Sequence, residues 1–170
     1  MDCWATPWAA QSMVWTIVPY QFDYTDALRL VYLQARQAAF PWVEPDSLQL
    51  LDFDQVIQGE TVLVALDQGV PIGFIAWWPP DNFIHSLFVN PAWTRRGVGQ
   101  SLLQACLQQL GRPASLKCKL ANPQALHFYY SLGWQSVEAG HDQHGSYLLL
   151  AYREWVPFAT ATLVIERLRE

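Results

Sequence analysis

The spacing of apolar residues changes character several times along the chain, and each change marks an element. Val14 to Val18 reads as a first strand, and Asp23 to Ala39 carries its apolar residues at helical spacing until Pro41 ends it. A second short helix is predicted near Ser47 to Gln58. Thr61 to Leu66 and Val70 to Trp77 are β-rich runs joined by Asp67-Gln68-Gly69, a hairpin signal. A third run, Phe83 to Val89, follows Pro79-Pro80 and stops at Asn90-Pro91.

From Gly97 to Leu110 the period returns to that of a helix. Val98, Leu102, Leu103, Cys106 and Leu110 take one face and Gln100, Ser101, Gln104, Gln108 and Gln109 the other, with Gly111 placed to close it. Ser115 to Ala121 is a strand, and Asn122-Pro123 is an N-cap followed by proline at the first helical position. That helix runs to Leu132, with Gly133 as its stop, and Trp134 to Glu138 and Ser146 to Arg153 are two last strands. The order β-α-α-β-β-β-α-β-α-β-β predicts an α/β (α+β) domain, a mixed sheet with helices on its faces. No repeat or flexible linker divides the chain, so residues 1–170 are expected to form one domain. Its core would span about 14–153, with a Trp-rich addition at 1–13 and another at 155–170.

Composition agrees with a compact domain: 52% hydrophobic residues over 170 positions suffice for a core without staples. No apolar run is long enough for a membrane span. No Lys or Arg precedes Arg29, unlike a secretory signal, so a cytoplasmic protein is expected. Cys3, Cys106 and Cys118 are odd in number and far apart, which suggests neither disulfides nor a metal site, and Cys106 and Cys118 read as packed thiols. A net charge of −5 argues against nucleic-acid binding. Acids outnumber Arg29 and Arg36 from Asp23 to Asp81, whereas Arg95, Arg96, Arg112, Lys117 and Lys119 face no acid between Asp81 and Glu138. A polyanionic ligand would be drawn to the second half and a cationic substrate to the first.

Candidate chemistry gathers in Phe88-Val89-Asn90-Pro91-Ala92-Trp93-Thr94-Arg95-Arg96-Gly97-Val98-Gly99-Gln100-Ser101-Leu102-Leu103, a strand, a turn and a glycine-containing helix start. Open N–H groups in a first helical turn bind anions, and Gly97 and Gly99 let a diphosphate approach. Taken alone, two glycines serve a tight turn equally well. The segment is neither a Rossmann fingerprint, since Leu102 stands at the third glycine, nor a P-loop.

About 20 residues later comes Asn122-Pro123-Gln124-Ala125-Leu126-His127-Phe128-Tyr129-Tyr130-Ser131-Leu132-Gly133-Trp134. The two segments together resemble the GNAT N-acetyltransferase superfamily. Its first signature is Val-x-Pro followed by Gln/Arg-x-x-Gly-x-Gly/Ala, and its second is Asn-x-x-Ala-x-x-Phe-Tyr-x-x-x-Gly-Phe. Asn122, Ala125, Phe128, Tyr129 and Gly133 are in register, Trp134 replaces Phe, and Thr94 stands at the Gln/Arg position.

The resemblance implies a mostly antiparallel mixed sheet over about 14–153, and acetyl-CoA as co-substrate without a metal. It implies that the backbone of Leu87, Phe88 and Val89 holds the pantetheine arm, and that Arg95, Arg96, Gly97, Val98, Gly99 and Gln100 take the pyrophosphate. Asn122 and Phe128 would line the cofactor channel, and Tyr129 would protonate the departing thiolate. Relatives that carry a base glutamate on the strand before the Asn-bearing helix have it where Lys117 stands here. His85 is the substitute as general base, because it is expected to share strand parity with Leu87 and Val89, and an imidazole with a reference pKa of about 6.5 accepts a proton at neutral pH. A packed histidine or a base-free route through water remains open.

Phe40, Trp42 and Trp77 are candidates for an acceptor wall, with a core or dimer-contact reading equally available. The His141-Asp142-Gln143-His144 stretch reads as a solvated loop rather than a metal site. The function expected is acetyl transfer to a primary amine in a ternary complex, with a small-molecule acceptor and no nucleic-acid or membrane partner. The alternatives are a non-catalytic acyl-CoA sensor, a protein N-acetyltransferase and an unrelated nucleotide-binding domain. Dimerisation is common in the superfamily that the chain resembles, and the ends with Trp4, Trp8 and Trp155 are candidates to mediate a homodimer or, equally, to cover the monomer's own core.

Overall fold

Residues 15–153 are described by the structure, a computed structural model. The two additions expected at the ends, with Cys3, Trp4, Trp8 and Trp155, lie outside the described residues. Strands are β1 (Thr16–Pro19), β2 (Thr61–Asp67), β3 (Val70–Trp78), β4 (Phe83–Val89), β5 (Ala114–Lys119), β6 (Gln135–Asp142) and β7 (Gly145–Tyr152). Helices are α1 (Thr25–Ala39) and α2 (Asp52–Val56) before β2, α3 (Val98–Gln109) after β4 and α4 (Pro123–Ser131) after β5. The order is the one expected from the hydrophobic pattern. The sheet runs β1-β2-β3-β4-β5-β7-β6, antiparallel except where β4 meets β5.

Alternation along the strands divides the core in two. Leu63, Ile75, Ile84 and Leu116 pack with Val98, Leu102, Leu103 and Cys106 of α3 and Tyr129 of α4. Val62, Val64, Phe74 and Ala76 face the other way, against Leu28 and Tyr32 of α1 and Phe53 of α2. Trp77, Trp134, Phe53 and Phe74 are fully buried, each contributing about 1.5–3 kcal/mol of hydrophobic stabilisation. The result is one sheet between two helical layers.

Turn chemistry explains several boundaries. Gln68 and Gly69 both have positive φ, 47° and 82°, and Asp67 pairs with Val70, so the β2–β3 connection is a two-residue hairpin turn. Asn122 caps α4 by accepting from Ala125 N at 3.1 Å. Gly133, at φ 87°, ends α4: its N–H donates to Tyr130 O and the Trp134 N–H donates to Tyr129 O, the paired bonds of a Schellman stop.

Three expectations need correction. Gly111 does not close α3 in a left-handed turn; its N–H donates to Asn82 Oδ1 at 3.0 Å, and a Cβ there would come within 2.7 Å of that atom. The second helix covers only Asp52–Val56, because Asp52 Oδ2 accepts from Gln49 N and the Arg36 guanidinium donates to Gln49 O, spending the preceding backbone on side chains. The last hairpin is longer than expected: His141 pairs with Ser146 and Asp142 with Gly145, leaving only Gln143 and His144 at the tip.

Candidate active site

The site begins with a strand pair that separates. β4 and β5 are in register only at Phe83 with Ser115 and Ile84 with Leu116. Beyond these pairs β4 keeps its antiparallel bonds to β3, and β5 keeps its own to β7 as far as Lys119 and Tyr147. A gap therefore opens between two strands that are each supported from behind. Asn90 N donates to Ile72 O at 2.8 Å. By alternation, Phe88 bonds toward β3, while the N–H and C=O groups of Leu87 and Val89 point into the gap. The three backbones expected to act alike thus differ: Leu87 and Val89 leave polar groups open to the gap, whereas those of Phe88 are spent on β3. The Phe88 ring packs on Tyr32 at 4.9 Å and Phe74 at 6.0 Å instead.

The gap leads into the turn before α3. Asn90 Oδ1 accepts from Ala92 N, and Pro91–Trp93 forms a 3-10 turn that reverses the chain. Arg95 and Gly97 both have positive φ, 61° and 94°. Gly97 occupies the N-cap with no side chain to accept from the helix, and the first helical bond runs from Ser101 N to Gly97 O. The N–H groups of Val98, Gly99 and Gln100 precede that bond and face the helix mouth, where partial positive charge collects. A Cβ built at Gly99 would lie 3.7 Å from both the Phe128 ring and Val89, and one at Gly97 would lie 3.6 Å from Trp15. The structure thus joins Val89, Gly99 and Phe128 at one place, and adds Trp15, whose role the sequence pattern did not suggest. The Arg96 guanidinium lies 5.0 Å from the centre of the Trp93 ring, and Arg95 is exposed.

On the α3 and α4 side of the sheet lies Tyr129. Its ring packs between Phe128 at 5.1 Å and Trp134 at 5.7 Å. The hydroxyl has no hydrogen-bond partner among the described residues. Burial holds the phenol well above its ordinary value of 10.0, reinforced by the Cys118 and Cys106 thiols. It keeps its proton at any physiological pH. Those thiols are themselves pushed up by burial, Cys106 to about 12 and Cys118 to about 11.

Where β4 begins, its register against β3 slips. Ala76 pairs with Ser86 and Trp77 with Ile84, so His85 is an extra residue, a β-bulge. The bulge overturns the parity expected for His85. Ile84, not His85, shares the core with Leu87 and Val89. His85 goes with Ser86 to the α1 and α2 side, where its Nδ1 meets Glu60 Oε1 at 2.9 Å. Glu60 was not among the sequence candidates. It stands one residue ahead of β2, and only the pairing across β3 brings it to the bulge.

Of the proposed acceptor wall, Trp77 is corrected: it is 2% exposed and packs in the core beside Ile75 and Ile84. Trp42 is 49% exposed and stacks edge-on with Phe40, which in turn meets Phe88. This aromatic ledge lies on the same side of the sheet as His85. Asn122 Oδ1 is used by the α4 cap, and its amide nitrogen makes no hydrogen bond among the described residues. Among the described residues no group of three His, Cys, Asp or Glu could hold a metal, and no helix is long and apolar enough to cross a membrane.

Sequence comparison matches residues 28–134 to the Acetyltransferase (GNAT) family. The chain belongs to this family. The match takes in the open strand, the helix mouth and Tyr129, and ends at the Schellman stop. Solved structures agree with the GNAT fold at low identity. The PaiA N-acetyltransferase of Thermoplasma acidophilum, solved with coenzyme A, superposes with a TM-score of 0.71 at 18% identity, covering 84% of this chain and 100% of that one. YjaB of Escherichia coli gives 0.68 at 19%, covering 82% and 98%. The yncA protein of Salmonella typhimurium, solved with acetyl-CoA, gives 0.60 at 21%, covering 85% and 98%. No protein of curated function matches the sequence significantly.

Proposed function

We propose that this GNAT chain transfers acetyl from acetyl-CoA directly to a primary amine. The observation that carries the reading is the continuity of the gap. The free polar groups of Leu87 and Val89 run without a break into the uncapped mouth of α3, and the neutral Tyr129 phenol lies on the same side. A diphosphate at Val98, Gly99 and Gln100 would send its pantetheine arm along β4, with the thioester toward the bulge. Phe128 and the Asn122 amide would flank that arm.

The acceptor would enter from the opposite side of the sheet, over Phe40 and Trp42, and meet the thioester carbonyl near His85. The amine nitrogen forms its bond to the carbonyl carbon and loses a proton to His85; the C–S bond breaks, and the Tyr129 hydroxyl protonates the thiolate. Exchange with solvent restores both side chains, so the proton lost from nitrogen is balanced by the one gained on sulfur. Backbone donors and orientation supply the rest of the rate enhancement. The acidic first half favours a cationic small-molecule amine, and a cytoplasmic setting fits the two buried, reduced thiols.

Titration calorimetry with coenzyme A and acetyl-CoA, followed by thiol release across a panel of small amines and peptides, tests this. The reading requires coenzyme A affinity and amine-dependent thiol release. Binding without turnover of any amine would make the chain an acyl-CoA sensor, and no binding would end the proposal.

A further inference from the structure

The residue that the bulge sets aside is tied to the most deeply buried acid near the gap. The Glu60 side chain is 9% exposed and that of His85 45%. Among the described residues Glu60 Oε2 is buried without a hydrogen-bond partner, and the carboxylate is anchored through Oε1 on His85 Nδ1. A carboxylate in this setting is costly unless an N–H faces it. The hydrogen on the neutral ring therefore belongs on Nδ1, which leaves the lone pair on Nε2. The Phe83 ring, 4.7 Å from the imidazole, flanks it on the same strand.

The structure assigns Glu60 a positioning role: it fixes His85 in the Nδ1-protonated form, with Nε2 left as proton acceptor for the incoming amine. The assignment rests on the transferase reading above. When Nε2 takes the proton from the attacking nitrogen, the imidazolium forms against a carboxylate already bonded to its other side. Lys117 and Lys119 of β5 alternate to the same side of the sheet, but Lys117 Nζ sits 4.5 Å over the Tyr147 ring and Lys119 Nζ bonds Asp142 at 2.6 Å. Glu60 is the carboxylate bonded to this imidazole.

Two measurements on the full chain test the role. Nitrogen-15 NMR of the imidazoles should show His85 as a single Nδ1-protonated form in the wild type and a mixture of forms in Glu60→Gln. Kinetics of Glu60→Gln should show kcat lower by about ten- to a hundredfold, with acetyl-CoA affinity unchanged. His85→Gln should lose at least as much, and the double variant no more than His85→Gln alone. A mixture of forms already in the wild type overturns the assignment. So does an unchanged kcat in Glu60→Gln, an equal loss of acetyl-CoA affinity, or independent losses in the double variant. A wild type that acetylates no amine overturns the transferase reading instead, and the NMR result still decides whether Glu60 fixes the ring.

Discussion

Gly99 in the first turn of α3 faces the Phe128 ring of α4 across 3.7 Å, measured from where a Cβ would stand. That spacing is ordinary van der Waals contact, so a methyl group fits the protein, and under the proposed function it would narrow the approach of a diphosphate to the first turn of α3. Gly99→Ala should leave thermal stability unchanged or slightly higher, since alanine favours the helix by about 0.5–1 kcal/mol. Coenzyme A affinity should fall by about tenfold or more, read by calorimetry. Unchanged affinity would remove Gly99 from the cradle.

Gly97 should behave differently. Its φ of 94° lies in the left-handed region, where a Cβ strains the backbone by about 1–2 kcal/mol. Gly97→Ala should therefore lower both the denaturation midpoint and coenzyme A affinity, in urea titrations with and without ligand.

Among the described residues the Tyr129 hydroxyl makes no hydrogen bond that Tyr129→Phe would break, and the ring keeps its contacts with Phe128 and Trp134. The variant should fold with undiminished stability and bind acetyl-CoA normally. Its kcat should fall by about 10²–10⁴, the range of a lost general acid. A phenol serving only as packing would leave kcat near the wild-type value in the same assay.

Asp52 is held below its ordinary 3.8, first by the Gln49 N–H and then by the Arg36 guanidinium. A depressed folded value means that the stabilisation is fully present above the ordinary value and fades as pH falls through the lower folded one. Asp52→Asn should cost about 1–2 kcal/mol at neutral pH, because it weakens the partner of a buried guanidinium that already stacks on Tyr32. The difference from wild type should shrink below about pH 4. Thermal melts of both proteins from pH 2 to 7 check the sign.

Cys106 and Cys118, pushed up by burial to about 12 and about 11, carry almost no thiolate at pH 8. Iodoacetamide should leave both unmodified in the folded protein and label both in urea, as read by peptide mass spectrometry. Labelling of Cys118 in the native state would mean that the gap beside β5 admits reagent.

Much of this protein follows from local pattern alone. Helical and strand periods place all seven strands and α1, α3 and α4 within a few residues, and Asn122, Pro123 and Gly133 mark both ends of α4. Gly97 marks the cap of α3, because its left-handed φ of 94° favours glycine. Such features depend on neighbours a few residues away, which the chain order lists directly.

Tertiary structure decides the rest. Strand alternation assigns His85 to the face of Leu87 and Val89, yet pairing with β3 leaves it over as a bulge and sends it to the other face. Trp77 has the composition of a pocket wall and is core, because Ile84 lies opposite. Glu60 meets His85 only because β3 sets β2 and β4 two strands apart, and the gap exists because β5 pairs with β7 after leaving β4. In each case the deciding contact joins residues distant in sequence, and periodicity carries no information about which strand lies beside which.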